Sequence, residues 1–167
     1  MFLMDEKKLK TERLDLRNWK ESDREAFLWL ADAPGIKERT GRTVSAEALF
    51  GYYQTLDTSF AVLLDGNVIG NCSLFSNSVT RSVRSLSVLE CAFYVHPSYQ
   101  GRGFGSEALN AVLDLAFSEK LANAVIAGVL SDNVTAEDFI RRNGGRYCFS
   151  RPLQGGGTER FYLFTKN

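Results

Sequence analysis

The sequence predicts a single domain of the mixed α/β (α+β) class that spans residues 1–167. Two observations lead to this prediction. Segments with the two-residue period of strands alternate with segments of helical spacing, in the order β-α-α-β-β-β-α-β-α-β-β. No repeat, linker or change of composition divides them, and 167 residues are enough to bury one core.

The first third of the chain predicts a strand, a helix, a loop and a second helix, at residues 11–19, 21–32, 33–43 and 45–56. The strand alternates apolar and polar side chains, as a half-buried strand does. Ser22 and Ser45 are the candidate N-caps of the two helices. The loop between the helices contains Pro34 and two glycines, which interrupt regular structure.

The rest of the chain predicts a hairpin, a strand, a helix, a strand, a helix and two closing strands, at residues 59–75, 85–97, 106–120, 123–130, 132–145, 146–151 and 159–166. The hairpin turns at Asp65 and Gly66, a pair that tolerates the positive φ angles of a tight turn. Pro97 ends the strand before the long helix. Gly144 and Gly145 are placed to cap the C-terminus of the short one.

Charge and composition argue against several classes of function. Twenty basic and twenty acidic residues give a formal net charge of zero, so no nucleic-acid surface is expected. No apolar run reaches the length of a membrane span, and the N-terminal segment is unlike a secretory signal. The three cysteines form neither a CxxC pair nor a zinc pattern with His96, the single histidine, which we expect at the surface. We therefore expect a cytoplasmic protein with reduced thiols, no metal, and neither nucleic acid nor membrane as a partner.

The segment "YQGRGFGSE" (residues 99–107) contains three glycines between a predicted strand and a predicted helix. Two common phosphate motifs do not explain it. A dinucleotide fold has GxGxxG after its first strand, whereas this GxGxG follows the fourth, and the chain contains no GxxxxGK[ST] run. One interpretation is an anion cradle, in which glycines let backbone N–H groups approach a phosphate at a helix N-terminus and Arg102 adds a charged contact. The other is a glycine-rich turn without a ligand.

The motifs around this segment resemble those of the GCN5-related N-acetyltransferase (GNAT) superfamily. Its signature, Q/R-x-x-G-x-G/A, is filled here by Gln100, Gly103 and Gly105. The segments "TERLDLR" (residues 11–17), residues 90–103 and "DNVTA" (residues 132–136) are similar to the RimJ/RimL-like branch, which contains ribosomal-protein N-terminal acetyltransferases. The resemblance spans nearly the whole chain.

This resemblance implies a fold and a donor. The fold would be a mixed, mostly antiparallel sheet of about seven strands flanked by about four helices, splayed between the fourth and fifth strands. The donor would be acetyl-CoA, with its pantetheine arm against the end of the fourth strand and Asn133, and its pyrophosphate in the glycine loop. The implied donor-binding residues are Phe93, Tyr94, Val95, Gln100, Gly101, Arg102, Gly103, Phe104, Gly105, Ser106 and Asn133.

Acyl transfer from a thioester to an amine needs a base for the ammonium proton and a donor for the oxyanion. Glu90 is the candidate general base, because a carboxylate in an otherwise apolar strand has a raised pKa. The alternative is that Glu90 faces solvent or pairs with Arg81 or Arg84, and strand alternation does not decide between the two. Direct attack needs no protein nucleophile, so Cys91 is expected to pack in the core.

Two departures from the family pattern leave the acid for the thiolate open. The tyrosine that many members carry on the helix after the Asn is Ile140 here, and the serine common in the RimJ/RimL branch is Ala136. Tyr147 is the remaining candidate for the acid, and a core aromatic on the sixth strand is its alternative interpretation. A thiolate of low pKa can leave without an acid, so these departures do not remove activity.

Together these features predict an acetyl-CoA-dependent N-acetyltransferase, in which a primary amine of a protein N-terminus or a small molecule attacks the thioester directly. The alternative, suggested by the missing tyrosine and serine, is a CoA-binding sensor or scaffold without catalysis. The helices of residues 21–56 would bind the acceptor, and Trp29, Tyr52 and Tyr53 either line its pocket or, for most of them, fill the core. We expect a monomer or a homodimer.

Overall fold

The computed structural model describes residues 6–40, 43–76 and 87–167. The strands β1 to β8 are Lys8–Lys10, Leu14–Asn18, Ser59–Leu64, Asn67–Phe75, Val88–Val95, Ala124–Leu130, Arg146–Pro152 and Thr158–Thr165. The helices α1 to α5 are Arg24–Ala31, Ile36–Thr40, Ala46–Gln54, Phe104–Ser118 and Val134–Arg142. All eight strands belong to one sheet, in the order β1-β2-β3-β4-β5-β6-β8-β7.

The mixed, mostly antiparallel sheet confirms the predicted fold class, with one strand and one helix more than expected. The additional strand β1 has only three residues and pairs antiparallel with β2, with Leu9 opposite Leu16. Its alternation is too short to be recognised as a strand. The additional helix α2 lies in the predicted loop 33–43, where the carboxylate of Glu38 accepts a hydrogen bond from the N–H of Gly35 at 3.0 Å.

Three local predictions about turns and caps are confirmed. The Ser45 hydroxyl accepts a hydrogen bond from the N–H of Ala48 at 3.1 Å and caps α3. Asp65 and Gly66 have φ angles of 49° and 82°, as a tight hairpin turn requires. Gly144 follows α5 with a φ of 95°, which a residue with a Cβ adopts only with strain.

The predicted cap at Ser22 is wrong. Residues Glu21–Asp23 form a 3-10 turn before α1, and no serine side chain caps it. The carboxylate of Asp23 instead accepts a hydrogen bond from the N–H of Lys20 at 2.9 Å. The same carboxylate pairs with Arg17 at 2.7 Å, so the entrance to α1 is held by a neighbouring strand.

Strands β5 and β6 diverge, as the predicted splay requires. Strand β5 pairs with β4 over six residues, from Glu90 opposite Phe75 to Val95 opposite Gly70. It pairs with β6 over only three residues, ending at Glu90 opposite Ile126. Helix α4 joins these two parallel strands and packs across the sheet. Beyond Glu90 the two strands therefore leave a cleft between them.

Helices cover both faces of the sheet and bury two cores. Alternate residues of β3 face the two sides, with Phe60 and Val62 in the first core and Ala61 and Leu63 in the second. The first core contains the buried stripe of α4, namely Leu109, Val112, Leu113 and Ala116. The second contains the aromatic side chains Trp19, Phe27, Phe50 and Tyr53.

The prediction that most of Trp29, Tyr52 and Tyr53 fill the core holds for Tyr53 but is wrong for Trp29 and Tyr52, which are 47% and 43% exposed.

The close packing after α5 predicts the effect of a single methyl group. A Cβ at Gly145 would lie 2.4 Å from Ile140 Cγ2 and 3.0 Å from the Ile140 carbonyl oxygen, and Ile140 is fully buried. We expect Gly145→Ala to lower the free energy of unfolding by about 1–3 kcal/mol, measured by urea denaturation. The control is Gly51→Ala in α3, where no heavy atom lies within 4 Å of the added Cβ. Because alanine favours the helix, Gly51→Ala should raise that free energy by about 0.5–1 kcal/mol; a loss in both variants would contradict the packing argument.

Candidate functional site

The cleft between β5 and β6 has a volume of about 650 Å³. Its lining includes ten of the eleven predicted donor-binding residues, namely Phe93, Tyr94, Val95, Gln100, Gly101, Gly103, Phe104, Gly105, Ser106 and Asn133. Arg102 is the exception, and the charged contact predicted for it is not formed toward the cleft. Its guanidinium lies over the Tyr99 ring at 5.7 Å and donates to the Ser98 carbonyl at 3.4 Å.

The glycine loop has the geometry of an anion cradle. Gly101 and Gly103 have φ angles of 79° and 83°, which only glycine adopts without strain. Gly103 directly precedes the 15-residue helix α4. The backbone N–H groups of residues 101–106 donate to no other group in the described parts of the chain. Free donors at a helix N-terminus suit a phosphate, so the loop fits the pyrophosphate of CoA.

The end of β5 offers an open strand edge beside this loop. Residues 91–95 pair with β4 on one side, and none of the described strands pairs with them on the other. The Gln100 side chain donates to the Val95 carbonyl at 2.8 Å and anchors the loop to the strand. An exposed edge of this kind can hydrogen-bond an extended amide-containing ligand such as pantetheine.

Helix α5 supplies the opposite wall of the cleft. The Asn133 side-chain oxygen caps this helix by accepting a hydrogen bond from the N–H of Ala136 at 3.2 Å. The rings of Phe139 and Phe93 lie 5.0 Å apart across the cleft wall. Gly105 brings α4 and α5 together, because a Cβ there would lie 3.3 Å from the Phe139 ring. The sequence analysis did not identify Phe139, since its role depends on how the two helices pack.

Glu90 lines the cleft at the last position where β5 pairs with β6. Its Oε2 atom is buried and has no hydrogen-bond partner among the described residues. The pKa of Glu90 is raised to about 7, chiefly by burial and secondly by the charge of Glu159, while Arg151 opposes the shift. The interpretation of Glu90 as a solvent-facing carboxylate is therefore wrong. Arg81 and Arg84, the other partners considered for it, lie outside the described residues.

A second carboxylate, Glu159, reaches the same cleft from β8. Its Oε1 atom lies 2.6 Å from the position of a Cβ on Gly128, so the missing side chain at Gly128 makes room for it. Its Oε2 atom accepts a hydrogen bond from Arg151 Nε at 2.9 Å. The sequence analysis missed Glu159 because its place in the cleft depends on the register between β6 and β8, which no local pattern specifies.

Tyr147 does not line the cleft, which argues against its proposed role as the acid. It lies on the edge strand β7, where every residue is exposed, and its own side chain is 53% exposed. The core interpretation of Tyr147 is therefore wrong as well. Its hydroxyl lies 2.8 Å from the Ser150 hydroxyl, at a separate depression lined by Glu137 and Tyr162.

His96, Cys72 and Cys148 do not line the cleft, whereas Cys91 lines it as a buried residue. His96 is half-buried rather than fully at the surface, because its ring stacks on Trp29 at 3.7 Å and its Nδ1 accepts from the Ser98 N–H. Cys72 and Cys91 are buried with their sulfur atoms 3.9 Å apart, and Cys148 is exposed. Cys91 therefore packs in the core, as expected.

Two features are absent from residues 6–40, 43–76 and 87–167. In that part of the chain, no helix is long and apolar enough to cross a membrane. Within the same ranges, no group of three or more His, Cys, Asp or Glu side chains is arranged to hold a metal ion.

Comparison with known proteins agrees with this geometry. The structure is similar to an acetyltransferase from Agrobacterium tumefaciens, with a TM-score of 0.78, 19% identity, and coverage of 99% of this chain and 98% of the other. It is similar to a Salmonella typhimurium acetyltransferase that modifies the N-terminal serine of a 50S ribosomal subunit protein, with a TM-score of 0.76, 16% identity, and coverage of 94% and 97%.

A third similar structure contains bound coenzyme A. This RimL ribosomal α-N-protein acetyltransferase in complex with coenzyme A has a TM-score of 0.72 and 16% identity, with coverage of 93% of this chain and 95% of the other. At these identities the likeness establishes the fold. The family model described as an acetyltransferase (GNAT) domain matches residues 13–146, which is most of the chain. The chain therefore belongs to the GNAT acetyltransferase family, and it is an N-acetyltransferase that uses acetyl-CoA.

Proposed function

We propose that the protein transfers the acetyl group of acetyl-CoA to a primary amine by direct attack on the thioester, with Glu90 as the general base. The acceptor is the amine of a protein N-terminus or of a small molecule. The observation that carries the proposal is the Glu90 carboxylate, which is buried at Oε2 without a partner among the described residues. It lies where β5 and β6 diverge, in the same cleft as the glycine loop of residues 101–106, which is called the donor loop below.

The residues around the cleft are suited to hold the donor. Bound acetyl-CoA supplies an activated acyl group and a thiolate leaving group. The free N–H groups of residues 101–106 would bind its pyrophosphate, and the open edge of β5 at Phe93–Val95 would bind its pantetheine arm. The Asn133 amide nitrogen donates to none of the described groups and faces the same cleft, so it is available to an amide of the pantetheine.

The raised pKa of Glu90 suits proton transfer from an ammonium group at neutral pH. A carboxyl group with a pKa of about 7 is substantially ionised at pH 7 and is a stronger base than an ordinary carboxylate. It would take one proton from the acceptor ammonium, leaving a neutral amine with a free electron pair. The nitrogen lone pair then forms the N–C bond to the acetyl carbon, the C–S bond breaks, and the thiolate departs with the electron pair of the C–S bond. The nitrogen loses its second proton to the thiolate or to solvent, which leaves a neutral amide.

The acceptor side of the cleft is formed by the region that precedes β3. Pro34, Ile36, Leu49 and Tyr53 line it, whereas Trp29 and Tyr52 do not. Two carboxylates, Glu90 and Glu159, face this space and favour a cationic acceptor. A protein N-terminus is one such cation, and two of the similar structures act on ribosomal proteins by their names. Small polyamines are another.

The acceptor class is tested by a turnover screen. Release of CoA from acetyl-CoA is measured over N-terminal peptides, polyamines, aminoglycosides and amino acids at pH 8. We expect amine-dependent release with at least one class, together with acetyl-CoA binding by isothermal titration. Binding without amine-dependent release from any acceptor would contradict the proposal and favour a CoA-binding protein without catalysis.

The role of Glu90 predicts a selective loss of activity. We expect Glu90→Gln to lower kcat by about 100-fold or more, because the general base is removed, while the size of the side chain is kept. The affinity for acetyl-CoA, measured by isothermal titration, should remain unchanged, since the glycine loop is intact. Wild-type kcat in this variant would show that Glu90 is not the base.

The charges around Glu90 predict opposite shifts of the pH profile. The rate should fall as the pH falls through about 7, because the base is protonated. Glu159→Gln removes a charge that raises the pKa of Glu90, so the acidic limb of kcat against pH should move to lower pH. Arg151→Gln removes a charge that lowers it, so that limb should move to higher pH. Shifts in the same direction would indicate that another group controls the profile.

Burial of Glu90 also predicts a pH-dependent change in stability. The folded protein holds the Glu90 proton up to about pH 7, whereas the unfolded chain releases it near pH 4.5. The raised pKa therefore contributes stability at low pH that is lost as the pH rises through this window. Glu90→Gln carries no such charge, so its Tm should exceed the wild-type Tm at pH 8 and approach it at pH 4.5. A Tm difference that does not depend on pH would contradict burial of an ionised Glu90.

A further inference from the structure

The segment between β1 and β2 contacts the donor loop, although about ninety residues separate them in sequence. Thr11 Oγ1 donates to Glu107 Oε1 at 2.5 Å, and the Arg13 backbone N–H donates to the same oxygen at 2.7 Å. Arg13 Nε donates to Glu107 Oε2 at 2.8 Å. Glu107 lies in the first turn of α4, so the "TERL" segment is tied to the start of the helix that follows the glycines.

The guanidinium of Arg13 also lies against residues 102–104, where the glycine loop enters α4. Its Nη1 donates to the Arg102 carbonyl at 3.0 Å. Its Nη2 lies 3.3 Å from the position that a Cβ on Gly103 would occupy. Its Cζ lies over the Phe104 ring, 4.5 Å from the centroid. One side chain thus connects Glu107 with the backbone immediately before α4.

We propose that Arg13 is a positioning residue for the donor, because its hydrogen bond to the Arg102 carbonyl orients the next N–H group toward the pyrophosphate. This inference rests on the proposed place of the pyrophosphate in the glycine loop. A trans peptide is planar, so its C=O and the following N–H point in opposite directions. Holding the Arg102 carbonyl on the Arg13 side therefore directs the Gly103 N–H away from Arg13.

The glycines explain why such a residue is needed. Gly101 and Gly103 adopt left-handed angles that only glycine tolerates well, and a loop of glycines loses much conformational freedom when it is ordered. A ligand that orders the loop on binding gives up affinity to do so. Arg13, held in turn by Glu107, keeps residues 102–104 ordered before the donor arrives.

The first test is kinetic and uses two donors. We expect Arg13→Ala to raise the KM for acetyl-CoA about tenfold with little change in kcat, as loss of a charged hydrogen bond implies. S-acetylpantetheine lacks the pyrophosphate, so its turnover should be the same in the variant and the wild type. An equal fall of kcat/KM with both donors would mean that Arg13 only stabilises the fold. An unchanged KM for acetyl-CoA would overturn the proposal.

Two further variants sharpen the comparison. Arg13→Lys keeps the charge but not the planar fork that binds Glu107 and Arg102 together, so its KM should lie between those of the wild type and Arg13→Ala. Arg24→Ala is the matched control, because Arg24 is similarly exposed, pairs with Glu21 at 2.7 Å and lies over Phe50 at 5.1 Å. This control should leave the KM for acetyl-CoA unchanged; a rise equal to that in Arg13→Ala would contradict a specific role for Arg13.

The second test needs no catalysis. Hydrogen exchange of the Glu107 amide, which donates to the Gly103 carbonyl at 3.1 Å, is measured in the protein without ligand, and we expect faster exchange in Arg13→Ala than in the wild type. Isothermal titration with CoA should show a correspondingly weaker Kd. Unchanged exchange and unchanged Kd would overturn the positioning role even if the enzyme is active. If the wild type shows no turnover, but the exchange rate and the Kd for CoA still differ between Arg13→Ala and the wild type, only the proposed function is contradicted.

Discussion

The divergence of β5 and β6 after Glu90 is the constraint on which the rest of the site depends. These two parallel strands pair over only three residues. The divergence leaves the end of β5 with an open edge, and it creates the cleft of about 650 Å³. It also places Glu90 at the point where the sheet separates, so that the side chain is enclosed by protein while it faces the cleft. Helix α4, which connects the strands, starts at the same end of the sheet.

The charges of the cleft are divided between its two sides. One side presents free N–H groups of the glycine loop and the N-terminus of α4, both of which favour an anion. The other side presents the carboxylates of Glu90 and Glu159, which favour a cation. This separation matches a reaction between a phosphate-bearing donor and an ammonium-bearing acceptor. Burial raises the pKa of Glu90, and the nearby charge of Glu159 adds to the shift.

Sequence patterns predicted the structure correctly where the local backbone conformation requires a particular residue type. Residue type and spacing predict the glycines before α4, the Asp65–Gly66 turn, the Ser45 cap and the glycine after α5, and their φ angles or hydrogen bonds agree. Patterns failed where a distant segment decides the outcome. At the turn before α1, the Asp23 carboxylate pairs with Arg17 on β2 and accepts the Lys20 N–H, whereas no serine side chain caps the turn. Arg102 lies over the Tyr99 ring and does not line the cleft.

The sequence by itself identified the family and the donor through short motifs, and it located the glycine loop before α4, because glycine spacing and helix starts are local properties of the chain. Only the tertiary structure decided which side chains share the cleft. Glu159 reaches it through the β6–β8 register, Tyr147 is excluded from it by its place on an edge strand, and Arg13 contacts the donor loop through the turn between β1 and β2. Each of these outcomes depends on strands that are distant in sequence, and a periodic pattern carries no information about their neighbours in the sheet.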